Sequence, residues 1–273
     1  MRVLVIIPSF NEETALPAVL EGLRQLPAAL GASLTPLVID DGSTDRTAQV
    51  ASACGARVLR LCTNLGIGGA VQTGLRVAHE EGFDAALQLD GDGQHPASEI
   101  ARLLAALAAT PAPDLVVGSR YLAGEGFQST PMRRVGKSWL SVVLRLCAGV
   151  RSTDPTSGFR VFGPRAIALF QRSFPYDYPE PESLSLAQLH GLRLAEVPVT
   201  MRERQGGQSS IRGLLGGWYM LKATAAIVLD LVRTQREFTE EERWKKPSAD
   251  IGSSPSSASA SPSPSSASSR GSA

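Results

Sequence analysis

Residues 84–96 read DAALQLDGDGQHP, and the change of character partway along decides the fold. Asp84–Asp90 is mainly apolar and has the length of a strand; a Gly-rich turn follows, and a helix is expected beyond Pro96. The same unit recurs upstream. Val3–Ile7 (VLVII) is a continuous apolar run stopping at Pro8, as in a strand buried on both faces, and Pro17 is suited to open a helix to about Leu26. Pro36–Asp40 (PLVID) reads as a second strand, with Ser43 the expected N-cap of the next helix and Asp45 in its first turn. Ala56–Cys62 and a helix over Gly68–Glu81 form the third unit, and Leu115–Gly118 (LVVG) is a fifth strand. This alternation predicts right-handed βαβ units and an α/β fold whose parallel sheet is covered on both faces.

Ligands of such sheets bind beyond the carboxyl ends of the strands. Acids and small polar groups gather there: Ser9 and Glu12 after the first strand, Asp40-Asp41-Gly42-Ser43 after the second, Asp90-Gly91-Asp92-Gly93-Gln94-His95 after the fourth, Ser119-Arg120 after the fifth. Asp90 and Asp92 are the sharpest pair. Two carboxylates at the end of a buried strand carry a large desolvation cost unless paired. A hard cation, Mg²⁺ or Mn²⁺, shared between them and phosphate oxygens removes that cost, with Gln94 and His95 in position to complete or orient the site. A solvated Asp-Gly turn is the plain alternative, and the place on the ligand edge favours metal. A carboxylate at Asp40 or Asp41 can accept from a nucleobase N–H or a ribose hydroxyl; the sequence does not choose between the two. Gly66-Ile67-Gly68-Gly69 lacks the third glycine of a dinucleotide fingerprint, Val71 standing there, and follows the third strand rather than the first. A dehydrogenase is therefore disfavoured.

Composition narrows the class. The 273 residues carry 27 basic and 26 acidic side chains, so no overall basic field marks a nucleic-acid binder. Cys54, Cys62 and Cys147 form no CxxC and cannot all pair, and the 3 histidines are scattered, so neither a disulfide framework nor a zinc set is expected. Arg2 and the short apolar run before Pro8 are too brief for a signal peptide, and no 18-residue stretch is both apolar and uncharged. The expectation is a cytoplasmic, reduced chain. Residues 246–273, nearly all Ser, Ala, Pro and Gly, are expected to be a disordered tail.

Seven segments carry a resemblance. PSFNEE, VIDDGSTDRT, NLGIGGAVQTG, LQLDGDGQHP, VVGSR, DPTSGFRVF and EVPVTMRERQGGQSSI follow one another between Pro8 and Ile211. Together they resemble a family 2 glycosyltransferase of the dolichol-phosphate mannose synthase-like branch. The resemblance implies a GT-A type catalytic domain over 1–212 with a mostly parallel, Rossmann-like sheet, and metal-dependent, inverting transfer of one sugar from a GDP- or UDP-linked donor. Position by position it implies donor contacts at Pro8, Phe10, Glu12, Asp40 or Asp41, Asp90, Gly91, Asp92, Arg120 and Arg204, and metal contacts at Asp90, Asp92 and Gln94. Phe10 stands where relatives often have Tyr. Ser210 stands where mannose synthases usually have Lys, which removes a positive charge near the phosphates and leaves the sugar open.

Chemistry fits this resemblance. The leaving diphosphate must be neutralised as the anomeric carbon gains positive charge, which a divalent ion and arginines achieve. Asp92 is expected to act in catalysis through the metal. Asp154 is a candidate base for a hydroxyl acceptor, with Glu180 and Glu182 beside it; a lipid phosphate needs no base, and Asp154 would then order its loop. Residues 131–151 carry Arg133, Arg134, Lys137, Arg145 and Arg151 and no acid. They form either a membrane-surface helix that cradles an acceptor phosphate, through Arg133, Arg134 and Lys137, or a core helix with a solvated basic rim. Residues 213–245 are expected to be an interfacial helical segment at the cytoplasmic face of a membrane, or one pairing with a small membrane protein. The expected acceptor is a polyprenyl phosphate or another envelope precursor. A catalytically silent nucleotide-sugar-binding partner subunit is the alternative from another class.

Overall fold

The structure is a computed structural model, and residues 1–26, 31–122, 131–202 and 220–229 are described here. Strands β1 (Arg2–Ser9), β2 (Ser33–Asp40), β3 (Arg57–Arg60), β4 (Ala85–Gln88), β5 (Leu115–Ser119), β6 (Arg160–Phe162) and β7 (Leu194–Pro198) form one sheet in the order β3-β2-β1-β4-β6-β5-β7. Helices α1 (Leu16–Arg24), α2 (Thr47–Ala53), α3 (Gly66–Glu80), α4 (Ile100–Leu107), α5 (Pro131–Ala148), α6 (Pro164–Phe170) and α7 (Pro179–Leu189) cover it.

The central strand shows why the apolar run had to be a strand. Side chains alternate across a strand, and Leu4 and Ile6 enter one core while Val3, Val5 and Ile7 enter the other. All five are sealed from water, each contributing about 1.5–3 kcal/mol of transfer free energy. One core packs β1 and β2 against α3, α5, α6 and α7. The second packs the opposite face against α1 and α4. Both faces are covered, as expected.

The parallel expectation holds for the pairs β1–β2, β1–β4, β2–β3 and β5–β7. It needs correction at β6, which the sequence reading did not include and which runs antiparallel to both β4 and β5. That insertion matters for the site. The residues before an antiparallel strand lie at the same sheet edge as the residues after its parallel neighbours.

Local signals fared unevenly. Pro17 sits in the first turn of α1, as expected. Ser43 does not cap α2, which begins at Thr47 with Arg46 at the N-cap and no side-chain cap. The Ser43 hydroxyl accepts the Asn11 N–H at 3.0 Å instead, and Asp45 lies before the helix, accepting the Thr47 N–H and the Glu13 N–H. The loop is thus braced against the neighbouring strand's loop. Gly68 and Gly74 serve packing: a Cβ at Gly68 would overlap the Pro175 carbonyl at 2.3 Å, and one at Gly74 would lie 2.4 Å from Ile6 Cγ2. Gly74 lets α3 settle on β1, so Gly74→Ala is expected to destabilise the protein by about 1–3 kcal/mol through overpacking. A thermal midpoint lowered by several degrees, read by calorimetry, is the check.

Candidate active site

Loops from β1, β2, β4 and β5 and the segment 152–158 before β6 meet at one edge. Asn11 holds the first two together. It adopts φ +56, a left-handed conformation that Asn tolerates, and its Oδ1 accepts the N–H groups of Thr44 and Asp45. Glu12 is buried beside it, its N–H donated to Thr47 Oγ1, whereas Phe10 projects into solvent. Pro8 completes the end of β1.

Asp40 and Asp41 are both buried but differ in their partners. Asp41 Oδ1 accepts the Leu65 N–H at 2.7 Å, tying β2 to the start of α3. Burial, reinforced by the Asp40 charge, raises the Asp41 pKa despite that bond. Asp40 Oδ1 accepts the Ser43 N–H, while its Oδ2 lies 3.2 Å from Arg60 Nε in an ion pair without hydrogen-bond geometry. Asp40 therefore keeps a buried acceptor oxygen with no donor directed at it among the described residues.

At the end of β4 the two acids are set differently. Asp90 remains partly accessible, its backbone N–H donated to His95 Nδ1 at 3.2 Å and its Oδ2 lying 3.8 Å from His95 Nε2. The proton of this imidazole therefore belongs on Nε2. The ring stacks on Phe159 at 4.8 Å, which clamps the loop to the residue just before β6. Asp92 is buried, with Oδ1 accepting the Gln94 N–H at 3.0 Å. Two glycines allow close approach: a Cβ at Gly91 would meet Ser9 Oγ at 2.7 Å, and one at Gly158 would lie 3.2 Å from Asp90 Oδ2. Gln94 O accepts the Arg202 N–H, which ties Arg202 to this loop. Arg204, and Ser210 beyond it, lie outside the described residues, as does the Arg133 side chain.

Arg120 and Asp154 meet in a two-pronged pair. Arg120 Nε and Nη2 donate to the two Asp154 oxygens at 2.7 Å each, and Asp154 is fully buried. Burial works against the Arg120 charge, but the hydrogen bonds and charge of Asp154 outweigh it and hold its pKa above the ordinary value. Glu196, on β7, secures the same loop: its carboxylate accepts from Ser152 Oγ at 2.5 Å and from Thr153 Oγ1 at 2.6 Å.

Two groups here escaped the sequence reading. Glu196 is one. Arg160 is the other, a fully buried arginine on β6 that donates to Ser157 O, Glu180 O and Ser183 Oγ at 2.7, 2.8 and 2.5 Å. Burial lowers its pKa to about 10, the carboxylates of Glu180, Asp154, Glu196 and Asp90 opposing that fall from a distance. The only early hint was an arginine inside an otherwise apolar strand, GFRVF. Glu180 and Glu182 occupy the first turn of α7, and burial raises the Glu180 pKa despite the nearby Arg160 charge.

Of the residues expected to bind an acceptor phosphate, Lys137 comes against Tyr121, the neighbour of Arg120. Its Nζ lies over the Tyr121 ring at 4.1 Å, whereas Arg134 is exposed. Helix α5 has one apolar face in the core and another that is exposed. Leu140, Val143, Leu144 and Ala148 enter the core, but Val135, Trp139, Val142 and Leu146 form a second, exposed apolar stripe. The described part of the following segment, 220–229, is helical and joins it through Trp139 Nε1 donating to Thr224 Oγ1 at 3.0 Å.

A mostly parallel sheet presenting acids and an arginine beyond its strand ends is the arrangement of a GT-A glycosyltransferase. Solved structures agree on the fold: glucosyl-3-phosphoglycerate synthase from Mycobacterium tuberculosis, in complex with Mn²⁺ and uridine-diphosphate-glucose, superposes with a TM-score of 0.62 at 20% identity, over 84% of this chain and 78% of that one. The model of glycosyl transferase family 2 matches residues 4–166, and the chain belongs to that family and is a glycosyltransferase. It is 36% identical over 235 residues to the undecaprenyl-phosphate mannosyltransferase of Micrococcus luteus, covering 82% of this chain and 93% of that protein. It is 30% identical over 222 residues to the polyprenol monophosphomannose synthase of Mycolicibacterium smegmatis, covering 78% and 82%.

The Glu180 shift has a testable sign. A carboxyl whose folded pKa is raised contributes stability below its unfolded pKa that is lost as pH rises through the folded value. Glu180→Gln removes that loss, so the variant is expected to gain thermal midpoint on wild type at pH 8 and to gain none at pH 4. Parallel melting curves across that range decide it.

Proposed function

We propose that the protein transfers one sugar, with inversion, from a nucleoside-diphosphate sugar to a polyprenyl phosphate at a membrane surface. The observation that carries this is the meeting of Asp40, Asp90, Asp92 and the Arg120–Asp154 pair at one sheet edge. The names of the two similar mannosyl enzymes support the acceptor class, and the buried, unbonded oxygen of Asp40 supports it as the acid that receives a nucleobase N–H.

No group of three or more His, Cys, Asp or Glu side chains forms a metal site among the described residues. Asp90 and Asp92 nevertheless fit a hard divalent ion, because Mg²⁺ and Mn²⁺ take one or two carboxylates and leave further positions for phosphate oxygens. Gln94 stands next to them. When bound, the ion would neutralise charge on the departing diphosphate. Arg120 adds a fixed cation, held in place by Asp154. Asp154 then acts by positioning: both its oxygens are engaged, which suits a phosphate acceptor that is already ionised and needs no base.

The exposed stripe of α5, Val135, Trp139, Val142 and Leu146, supports a membrane-facing surface, with Arg134 and Arg145 on its flank to meet anionic headgroups. No described helix is long and apolar enough to cross a membrane. The proposed 213–245 element lies outside the described residues except for 220–229.

Thermal unfolding with UDP or GDP, with and without Mn²⁺, tests the donor site. A ligand at a hundred times its dissociation constant adds about 2.7 kcal/mol, a rise of several degrees. The rise is expected with one nucleotide, only with Mn²⁺, and Asp92→Asn is expected to abolish it together with transfer. Unchanged turnover in Asp92→Asn would overturn the metal assignment. For the membrane surface, Leu146→Glu is expected to weaken binding to phosphatidylglycerol vesicles about 10- to 100-fold, the worth of one buried leucine. Equal sedimentation of the variant and wild type with vesicles would remove α5 from the interface.

A further inference from the structure

Tyr121 joins two cations that arrive from different elements. Arg120 Cζ lies 5.6 Å and Lys137 Nζ 4.1 Å from the centroid of its ring, both within the roughly 6 Å over which a ring attracts a cation. The two cations differ in their compensation. Arg120 is matched by Asp154, whereas Lys137 forms no salt bridge among the described residues. An ammonium on a flexible four-carbon stem gains order only from a fixed partner. The ring is such a partner, because the Tyr121 N–H is donated to Ser119 Oγ, which meets Thr153 Oγ1 at 2.7 Å, and Glu196 secures Thr153.

We propose that Tyr121 is a positioning residue for the acceptor: its ring, which Arg120 also approaches, holds the Lys137 ammonium, so that helix α5 brings to the crevice a positive charge with no salt-bridge partner among the described residues. This rests on the polyprenyl-phosphate reading. A phosphate monoester carries about −1.5 to −2 charges at neutral pH. Arg120, already matched by Asp154, leaves that charge unmet, and the Lys137 ammonium offsets about half or more of it. The ring's π-face is the part that holds the ammonium, and Tyr121→Phe keeps it.

The probe is farnesyl phosphate in detergent micelles, with farnesol as the uncharged control, titrated calorimetrically into the full chain. Wild type is expected to bind farnesyl phosphate more tightly than farnesol. Tyr121→Leu should weaken that binding about 2- to 30-fold, the range a cation–π contact supplies. Tyr121→Phe, which keeps the ring, should restore wild-type affinity. Lys137→Met should weaken it as well, and the double variant Tyr121→Leu/Lys137→Met should be no weaker than Lys137→Met alone. UDP or GDP binding with Mn²⁺ should be the same in every variant. Wild-type affinity in Tyr121→Leu, a loss in Tyr121→Phe equal to that in Tyr121→Leu, or losses that multiply in the double variant would each overturn the role of Tyr121 while leaving the acceptor reading intact. Should Tyr121→Leu fail to fold, undiminished affinity in Lys137→Met overturns the proposal by itself. A wild-type protein that binds farnesyl phosphate no better than farnesol overturns the acceptor reading, and this inference with it.

Discussion

A guanidinium sealed from water sits where the crevice is assembled. Arg160 projects from the short antiparallel strand between β4 and β5, and it donates to the segment before its own strand and to the first turn of α7. Removing a charge from water costs several kcal/mol unless hydrogen bonds replace its hydration. Only a particular arrangement of Ser157, Glu180 and Ser183 supplies those bonds, so burying one arginine dictates where the 155–158 loop and α7 lie. Their positions in turn set Asp154 and Glu180 relative to Asp90.

From there the polar network runs outward through fixed contacts. Asp154 holds Arg120, Glu196 holds Ser152 and Thr153, and Ser157 Oγ donates to Gly118 O at 2.6 Å. Asp154 and Glu196 each accept from more than one donor, which suits a site that must stay in place while charge moves on the substrate. The acids at the donor side are anchored otherwise. Asp90 is set by His95, and His95 by its stacking on Phe159, so the antiparallel strand braces both halves of the crevice.

Much of this was legible beforehand for a simple reason. The runs VLVII, PLVID and LVVG have strand length and no polar face, and such runs are buried only inside a covered sheet. The polar clusters after them then had to share one edge, which placed Asp40, Asp90, Asp92 and Arg120 together before any coordinate was known. Ser43 failed as a cap because its hydroxyl has a better partner in Asn11, a residue 32 positions away. Arg160–Phe162 went unread because three residues carry no period, and Glu196 because a lone acid in a strand says nothing of what it faces.

By itself, then, the sequence determined the strand-and-helix alternation, the edge on which chemistry collects, and the acids and arginine that collect there. These follow from local patterns, in which apolar length and turn residues act within a few positions of one another. Tertiary structure alone decided that β6 runs backwards, that Asp154 is spent on Arg120, that Asp40 rather than Asp41 keeps an unbonded oxygen, and that Lys137 lies against Tyr121. Each of those depends on which distant group reaches a buried polar atom first, and such competition is settled only when the chain is packed.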